Sequence, residues 1–265
     1  MPLEKKLLTV DVGNTATSFG VFSLSSFHKQ PHPLHVSTIL TSSLRHARAG
    51  GHPGLKHVFK NDGFQGIIIS SVVPKVERPL AVTLKKKTGL SPIFVTGKTK
   101  SKVIIRYHHP SEVGADRIVN ARAVIEIHRG ASIVVDFGTA TTFDCVTARG
   151  EYLGGVIAPG PVISAEALYE RTAKLPRVLL EKPTRILGRT TLESIQSGLY
   201  HGYRGLVREI AGHLQQKMGP GTAIYSTGGQ AHWILKGLGI IDENIPSLTL
   251  MGLYHVWHDL ERRKS

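Results

Sequence analysis

"LLTVDVGNTATSFGVF" (Leu7 to Phe22) sets Asp11, Gly13, Asn14 and Thr15 between two apolar runs. Leu7 to Val10 reads as a buried strand and Phe19 to Phe22 resumes the apolar pattern, so the segment is a strand-turn-strand unit. A plain Asn-Gly or Asp-Gly hairpin would reverse the chain with less polar matter, so the additional groups call for a ligand. The unit has a twin. "SIVVDFGTATTFDCV" (Ser132 to Val146) repeats the apolar run, the Asp-x-Gly, the Thr-containing turn and the second half-apolar strand, with Asp136 and Gly138 each 125 positions beyond Asp11 and Gly13. Two copies half a chain apart predict a duplicated domain.

"GIIISSVVP" (Gly66 to Pro74) and "SPIFVTG" (Ser91 to Gly97) read as strands separated by a helical pattern, which predicts a parallel pair. "ADRIVNARAVIEIHRG" predicts a helix from Ala115, with Ile118, Ala121, Val124 or Ile125 and His128 on one face and Gly130 as its stop. In "YLGGVIAPG", Gly154, Gly155 and Gly160 suit close backbone approach, and a mostly helical stretch follows through Met218. "TAIYSTGGQAHWI" gives a strand ending in Thr227, Gly228 and Gly229, the end at which open α/β sheets receive ligands. His28 to Phe59 is basic and rich in turn-formers, and predicts a surface excursion with some helix.

With 265 residues, 41% of them hydrophobic, the chain can bury a sizeable core. Lys and Arg number 33 against 19 Asp and Glu, a formal net charge of +14. That excess favours a solvated surface over a nucleic-acid partner, although charge alone leaves a polyanion open. A single cysteine, Cys145, excludes an intramolecular disulfide and a Cys-based zinc site, and predicts a reducing, cytoplasmic location. The N-terminal apolar run is too short for a signal-peptide core, and no stretch approaches the ~20 apolar residues needed to span a bilayer.

An Asp-x-Gly-Asn-Thr turn offers backbone N–H groups and a hydroxyl to an anion, with a carboxylate at its edge. That carboxylate repels phosphate unless a divalent cation lies between them, so the combination points to metal-bound nucleotide, with Asp11 holding Mg²⁺ through water. One such turn alone is explained as well by Asx-turn hydrogen bonds in a hairpin; two copies and a Gly-Gly strand end favour the phosphate clamp. Asp116 lies in the first turn of its helix, where an ionised carboxylate is ordinary. The same group, beside Gly114 and Arg117, is also placed to accept a proton from a substrate hydroxyl, with the guanidinium holding a polar substrate. The residues leave both readings open.

"DVGNT", "YHHPSEVGADRIVNA", "VVDFGTATTFD", "YLGGVIAPG" and "STGG", in this order, closely resemble type III pantothenate kinases. The resemblance covers most of the chain and is weak between about His28 and Asn61. It implies two ribonuclease-H-like domains of the actin and sugar-kinase superfamily, for which we expect a boundary at 117/118, giving domains 1–117 and 118–265. It also implies ATP-dependent phosphorylation of pantothenate, the first step toward coenzyme A, in a homodimer. By resemblance Asp11, Val12, Gly13, Asn14, Thr15, Ala16, Thr17 and Ser18 form the ATP phosphate loop, and Thr139 touches ATP. Asp116 becomes the proton acceptor. Tyr107, Gly114, Ala115, Asp116 and Arg117 hold pantothenate together with Thr191, which Thr190 neighbours. Asp136 binds a monovalent cation, K⁺ or NH₄⁺. The sequence departs from the family pattern at His108 and His109, where Asp and Asn are commoner, and in the Arg/His/Gly-rich segment from Leu44 to His57. Two rivals follow from the same fold: a non-catalytic transcriptional accessory relative, supported by the basic charge, and a kinase of another small-molecule alcohol.

Overall fold

The computed structural model describes residues 4–46, 58 and 63–263. They divide into two compact units: 1–129 with 149–152 and 247–265, and 130–148 with 153–246.

The first unit is built on the opening hairpin. β1 (Lys6–Val12) pairs antiparallel with β2 (Ala16–Ser23), placing Asp11 opposite Ser18 and Val12 opposite Thr17. β3 (His35–Leu40) adds antiparallel to β2, while β4 (Phe64–Ser71) and β5 (Ile93–Phe94) add in parallel on the other side, giving the order β3-β2-β1-β4-β5. Leu8, Val10, Val12, Ile67 and Ile69 alternate onto one sheet face and pack with Val76, Leu80 and Leu84 of α2 (Pro74–Thr88). Proline at the start of α2 supplies a preset helical φ, and Gly89 ends it in the left-handed region at φ 76°, its N–H bonding Lys85 O at 2.9 Å.

The rest of this unit comprises α1 (Thr41–His46), β6 (Ile104–Ile105), α3 (Ala115–Ile127) and the C-terminal α7 (Leu248–Glu261). β6 pairs in parallel with Glu151 and Tyr152. The single apolar face expected of α3 is replaced by burial of the whole helix from Arg117 to Val124, Asn120 and Arg122 included. Periodicity could not show this, because Arg122 meets its main partner far along the chain. Arg122 makes a two-pronged pair with Asp259 of α7 (2.6 and 2.9 Å) and bonds Glu126 at 2.9 Å, and Lys102 Nζ reaches Glu126 at 3.0 Å.

In the second unit β7 (Ser132–Phe137) pairs antiparallel with β8 (Ala140–Val146), and β10 (Ala223–Thr227) and β11 (Glu243–Asn244) lie parallel beside β7. β9 (Glu151–Pro159) follows β8, and the sheet order is β11-β10-β7-β8-β9-β6, the last strand pairing with Glu151 and Tyr152 at the start of β9. From β11 to β9 this repeats the order of the first sheet, as a duplicated α/β fold requires, and β6 is the added edge strand. The repeat is not perfect: the first turn holds Gly13, Asn14 and Thr15, the second only Gly138 and Thr139. Asn14 is the added residue, and Thr15 and Thr139 occupy the same place before the returning strand. The helices are α4 (Pro161–Glu170), α5 (Thr191–Met218) and α6 (Ala231–Leu235), with α5 covering β7 and β8 through Tyr200, Tyr203, Val207 and Ala211.

Two expectations change. The excursion at His28 to Phe59 contains strand β3, masked in the sequence by its proline- and histidine-rich approach and by its place at the sheet edge, which leaves Val36 and Leu40 exposed. Of the basic segment 44–57, residues 47–57 lie outside the described residues. The boundary expected at 117/118 falls inside α3, and α3 lies whole within the first unit.

Candidate active site

In the first hairpin Val12 and Thr17 are buried, while Asn14, Thr15 and Ala16 are exposed at the tip, with Gly13 and Ser18 between these extremes. Thr41, which the sequence reading did not single out, fastens the turn. Its hydroxyl donates to Gly13 O at 2.7 Å and lies 2.9 Å from the Thr17 hydroxyl, and its N–H bonds Thr15 O at 2.9 Å. Thr17 is therefore committed to holding the loop, as is the Gly13 N–H, which bonds Ala16 O at 3.0 Å, and Asn14 to Ala16 form the exposed tip. Asp11 sits in register beside Ser70 of β4. Ser70 is fully buried, and its hydroxyl has no hydrogen-bond partner among the described residues. A buried hydroxyl in that state ordinarily meets water or a ligand. A carboxylate with a hydroxyl beside it suits a hydrated Mg²⁺. Among the described residues no three or more His, Cys, Asp or Glu cluster for metal binding, so an ion at Asp11 would complete its shell with water and phosphate oxygens.

Asp116 lies in the first turn of α3, after Gly114 at the N-cap. Its Oδ1 accepts the Arg117 N–H at 2.8 Å. A Cβ on Gly114 would stand 2.4 Å from that oxygen, so glycine is what lets the carboxylate fold back over the helix start. Burial pushes the Asp116 pKa up, opposed by the Arg117 N–H and the Arg117 charge. Sequence alone shows the helix start that favours an ionised carboxylate; the raised pKa comes from burial. A carboxylate raised in this way is a better proton acceptor than an ordinary aspartate.

Arg117 is 7% exposed, with its Cζ 5.6 Å from the centroid of Tyr152, whose ring is in turn 6.3 Å from that of Tyr107. Tyr107, Tyr152 and Arg117 thus form a row in which the fully buried Tyr152 is the middle member. Tyr152 went unrecognised because its place in "EYLGG" marks it only as a strand residue. Ala115 is 6% exposed, and His108 and His109 are exposed on the approach to a 3-10 turn at Pro110–Glu112.

In the second unit Asp136 lies in register with Thr142 and Thr227. Gly228, at φ 94°, closes on it so tightly that a Cβ there would be 2.6 Å from Asp136 Oδ1. Glycine is required both by the positive φ and by the approach. Thr139 is partly exposed at the turn, and its carbonyl accepts the Gly160 N–H at 3.0 Å. Gly155 bears out the close approach expected of it, since a Cβ there would lie 1.6 Å from Phe143 O. At the start of α5, Thr190 is the N-cap: its hydroxyl accepts the Glu193 N–H at 3.1 Å while Glu193 Oε2 accepts the Arg189 N–H at 2.7 Å. Capping engages Thr190, and Thr191 is exposed beside it.

The family model for type III pantothenate kinase matches residues 7–213. The chain is 44% identical to a type III pantothenate kinase of Koribacter versatilis, over 98% of this chain and 96% of that one.

The chain belongs to the type III pantothenate kinase family.

Other members of the family include those of Moorella thermoacetica and Streptomyces coelicolor, each 40% identical over 95% of this chain and 98% and 97% of theirs. Among solved structures, a Baf family protein of Campylobacter jejuni superposes with a TM-score of 0.55 at 17% identity, covering 96% of this chain and 99% of its own. The activator of the 2-hydroxyisocaproyl-CoA dehydratase of Clostridium difficile, with bound ADPNP, gives 0.52 at 11% identity, over 98% and 97% of the two chains. At these identities the likeness is one of fold alone. This family member is a kinase.

Proposed function

We propose that the kinase moves the γ-phosphoryl group of ATP to the primary alcohol of pantothenate, giving ADP and 4′-phosphopantothenate, with Asp116 as proton acceptor. Family membership over nearly the whole chain supports the substrate pair. The observation that carries the role of Asp116 is a half-buried carboxylate at the start of α3 whose Oδ1 accepts the N–H of the next residue, Arg117, and whose pKa burial raises.

Phosphoryl transfer asks the protein mainly for positioning and for neutralisation of charge. Asp11 to Ser18 take the ATP phosphates, chiefly at the exposed tip from Asn14 to Ala16, and Thr139 touches ATP from its own turn. Mg²⁺ at Asp11 supplies charge neutralisation on the phosphates when bound. Asp116 orients the pantothenate hydroxyl and takes its proton as the oxygen–phosphorus bond forms. Arg117, restrained over Tyr152, presents a planar fork to the substrate carboxylate or hydroxyls, with Tyr107, Gly114, Ala115 and Thr191 as further contacts. Asp136 holds K⁺ or NH₄⁺.

We also read the kinase as a cytoplasmic homodimer. Leu179, Ile186 and Leu187 are 73–77% exposed, and apolar side chains so bare support a protein partner there. No helix among the described residues is long and apolar enough to cross a membrane.

The test is coupled ADP release with Mg²⁺ and K⁺, run with and without pantothenate. Release that depends on pantothenate is expected. ADP release indifferent to pantothenate would redirect the assignment to another alcohol, and none at all in the intact protein would end it.

A further inference from the structure

Tyr203, in the middle of α5 and 6% exposed, has no part in the roles given above. Its hydroxyl donates to the Pro159 carbonyl, and Ser164 Oγ lies 3.0 Å from the phenol oxygen. A phenol has one proton to give; with that proton on Pro159, Ser164 is the donor to Tyr203. Burial raises the Tyr203 pKa, opposed by the Ser164 hydrogen bond, so the phenol keeps its proton at neutral pH.

Pro159 closes β9, and the next residue meets the second hairpin. Gly160 N–H bonds Thr139 O at 3.0 Å, and Gly160 O in turn accepts the Ser164 N–H at 3.0 Å. The contact leaves no slack: a Cβ on Gly160 would stand 2.2 Å from Thr139 O and 2.6 Å from Gly138 O. Tyr203, Ser164, Pro159 and Gly160 thus form a hydrogen-bonded backing directly behind the Gly138–Thr139 turn. The Tyr203 ring is itself fixed in the apolar cluster with Ile133, Phe137 and Val207, so the hydroxyl is held by a rigid element.

We propose that Tyr203 is a positioning residue for the nucleotide: its hydroxyl holds the Pro159–Gly160 corner against the Gly138–Thr139 turn and so sets Thr139 where ATP meets it. The proposal rests on the reading of Thr139 as an ATP contact. Without the hydroxyl, the Pro159 carbonyl loses its donor, and the corner and the turn behind it gain freedom that must be lost again when ATP binds.

The experiment compares the wild type with Tyr203→Phe, Thr139→Ala and the double variant. It measures calorimetric Kd for Mg²⁺-ATP without pantothenate, KM for pantothenate at saturating ATP, and Tm. Tyr203→Phe is expected to weaken ATP binding by roughly 3- to 10-fold, the scale of one hydrogen bond, with pantothenate KM unchanged. Thr139→Ala weakens ATP as well, and the double variant loses less than the two singles together, because both act at one turn. Wild-type ATP affinity in Tyr203→Phe beside a weakened Thr139→Ala overturns the inference and leaves the Thr139 reading standing. Wild-type affinity in Thr139→Ala removes that reading, and the inference with it. Equal losses for both substrates in Tyr203→Phe, tracking a lower Tm, mean a purely structural tyrosine and also overturn the proposal.

Discussion

Asp116 joins function to a cost in stability. Its folded-state pKa lies above the ordinary 3.8, so the folded protein binds this proton more tightly than the unfolded chain. Stability is therefore withdrawn as pH rises from the ordinary carboxylate range through the raised value. Asp116→Asn keeps the shape and removes the buried charge: turnover should fall ~10²–10⁴-fold, while Tm at neutral pH holds or rises. A Tm that drops with the activity would make Asp116 a structural carboxylate. In the wild type the acid limb of kcat/KM should lie above that of an ordinary aspartate, and the limb should vanish from the residual activity of the Asn variant. Asp11, Asp116 and Asp136 could be picked out in the sequence because each stands in a local motif with glycine nearby. Thr41, Ser70, Tyr152 and Tyr203 could not, because each reaches its neighbours through strand pairing or helix packing that no short window of sequence contains.

At the level of elements, α3 and α7 are joined by charge as much as by apolar packing. Arg122 and Asp259 are both almost fully buried, and such a pair is weak evidence of net stabilisation, but breaking it is costly. Arg122→Met strands Asp259 and should destabilise by about 3–5 kcal/mol, measured by urea unfolding; a loss below about 1 kcal/mol would mean that water reaches Asp259. Beside the pair, His255 Nε2 lies 3.0 Å from Lys29 O. Burial, with the Arg122 charge, lowers the His255 pKa from 6.5 to about 4. A histidine kept neutral in the fold contributes stability above its unfolded pKa and loses it as pH falls from 6.5 toward 4. His255→Gln should flatten the stability–pH curve in that window, and an unchanged slope would place the acid sensitivity elsewhere. The strands of both hairpins and the start of α3 were legible from alternation, glycine and proline. β3 was not, because an edge strand with exposed Val36 and Leu40 carries no clear inside face.

For the whole molecule, sequence periodicity revealed the duplication but not how the chain is shared between the units. That sharing depends on residues 247–265 joining the first unit, a contact spanning most of the sequence. Light scattering should give a dimer mass, and Leu187→Glu should shift it toward the monomer; an unaffected dimer would move the interface away from this apolar surface. Replacing K⁺ by Na⁺ should slow turnover, and equal rates would undercut Asp136 as a cation ligand. The return of α7 to the first unit also sets a timetable for synthesis. While the ribosome is still making the middle of the protein, α3 has no Asp259 to meet Arg122, and the opening hairpin lacks the helix that supplies Tyr254 and His255 to the loop at Ser26 to Lys29. The half of the enzyme translated first is thus the half that waits longest for its last piece, and a nascent chain stalled before Leu248 should remain open to protease where the released protein resists it.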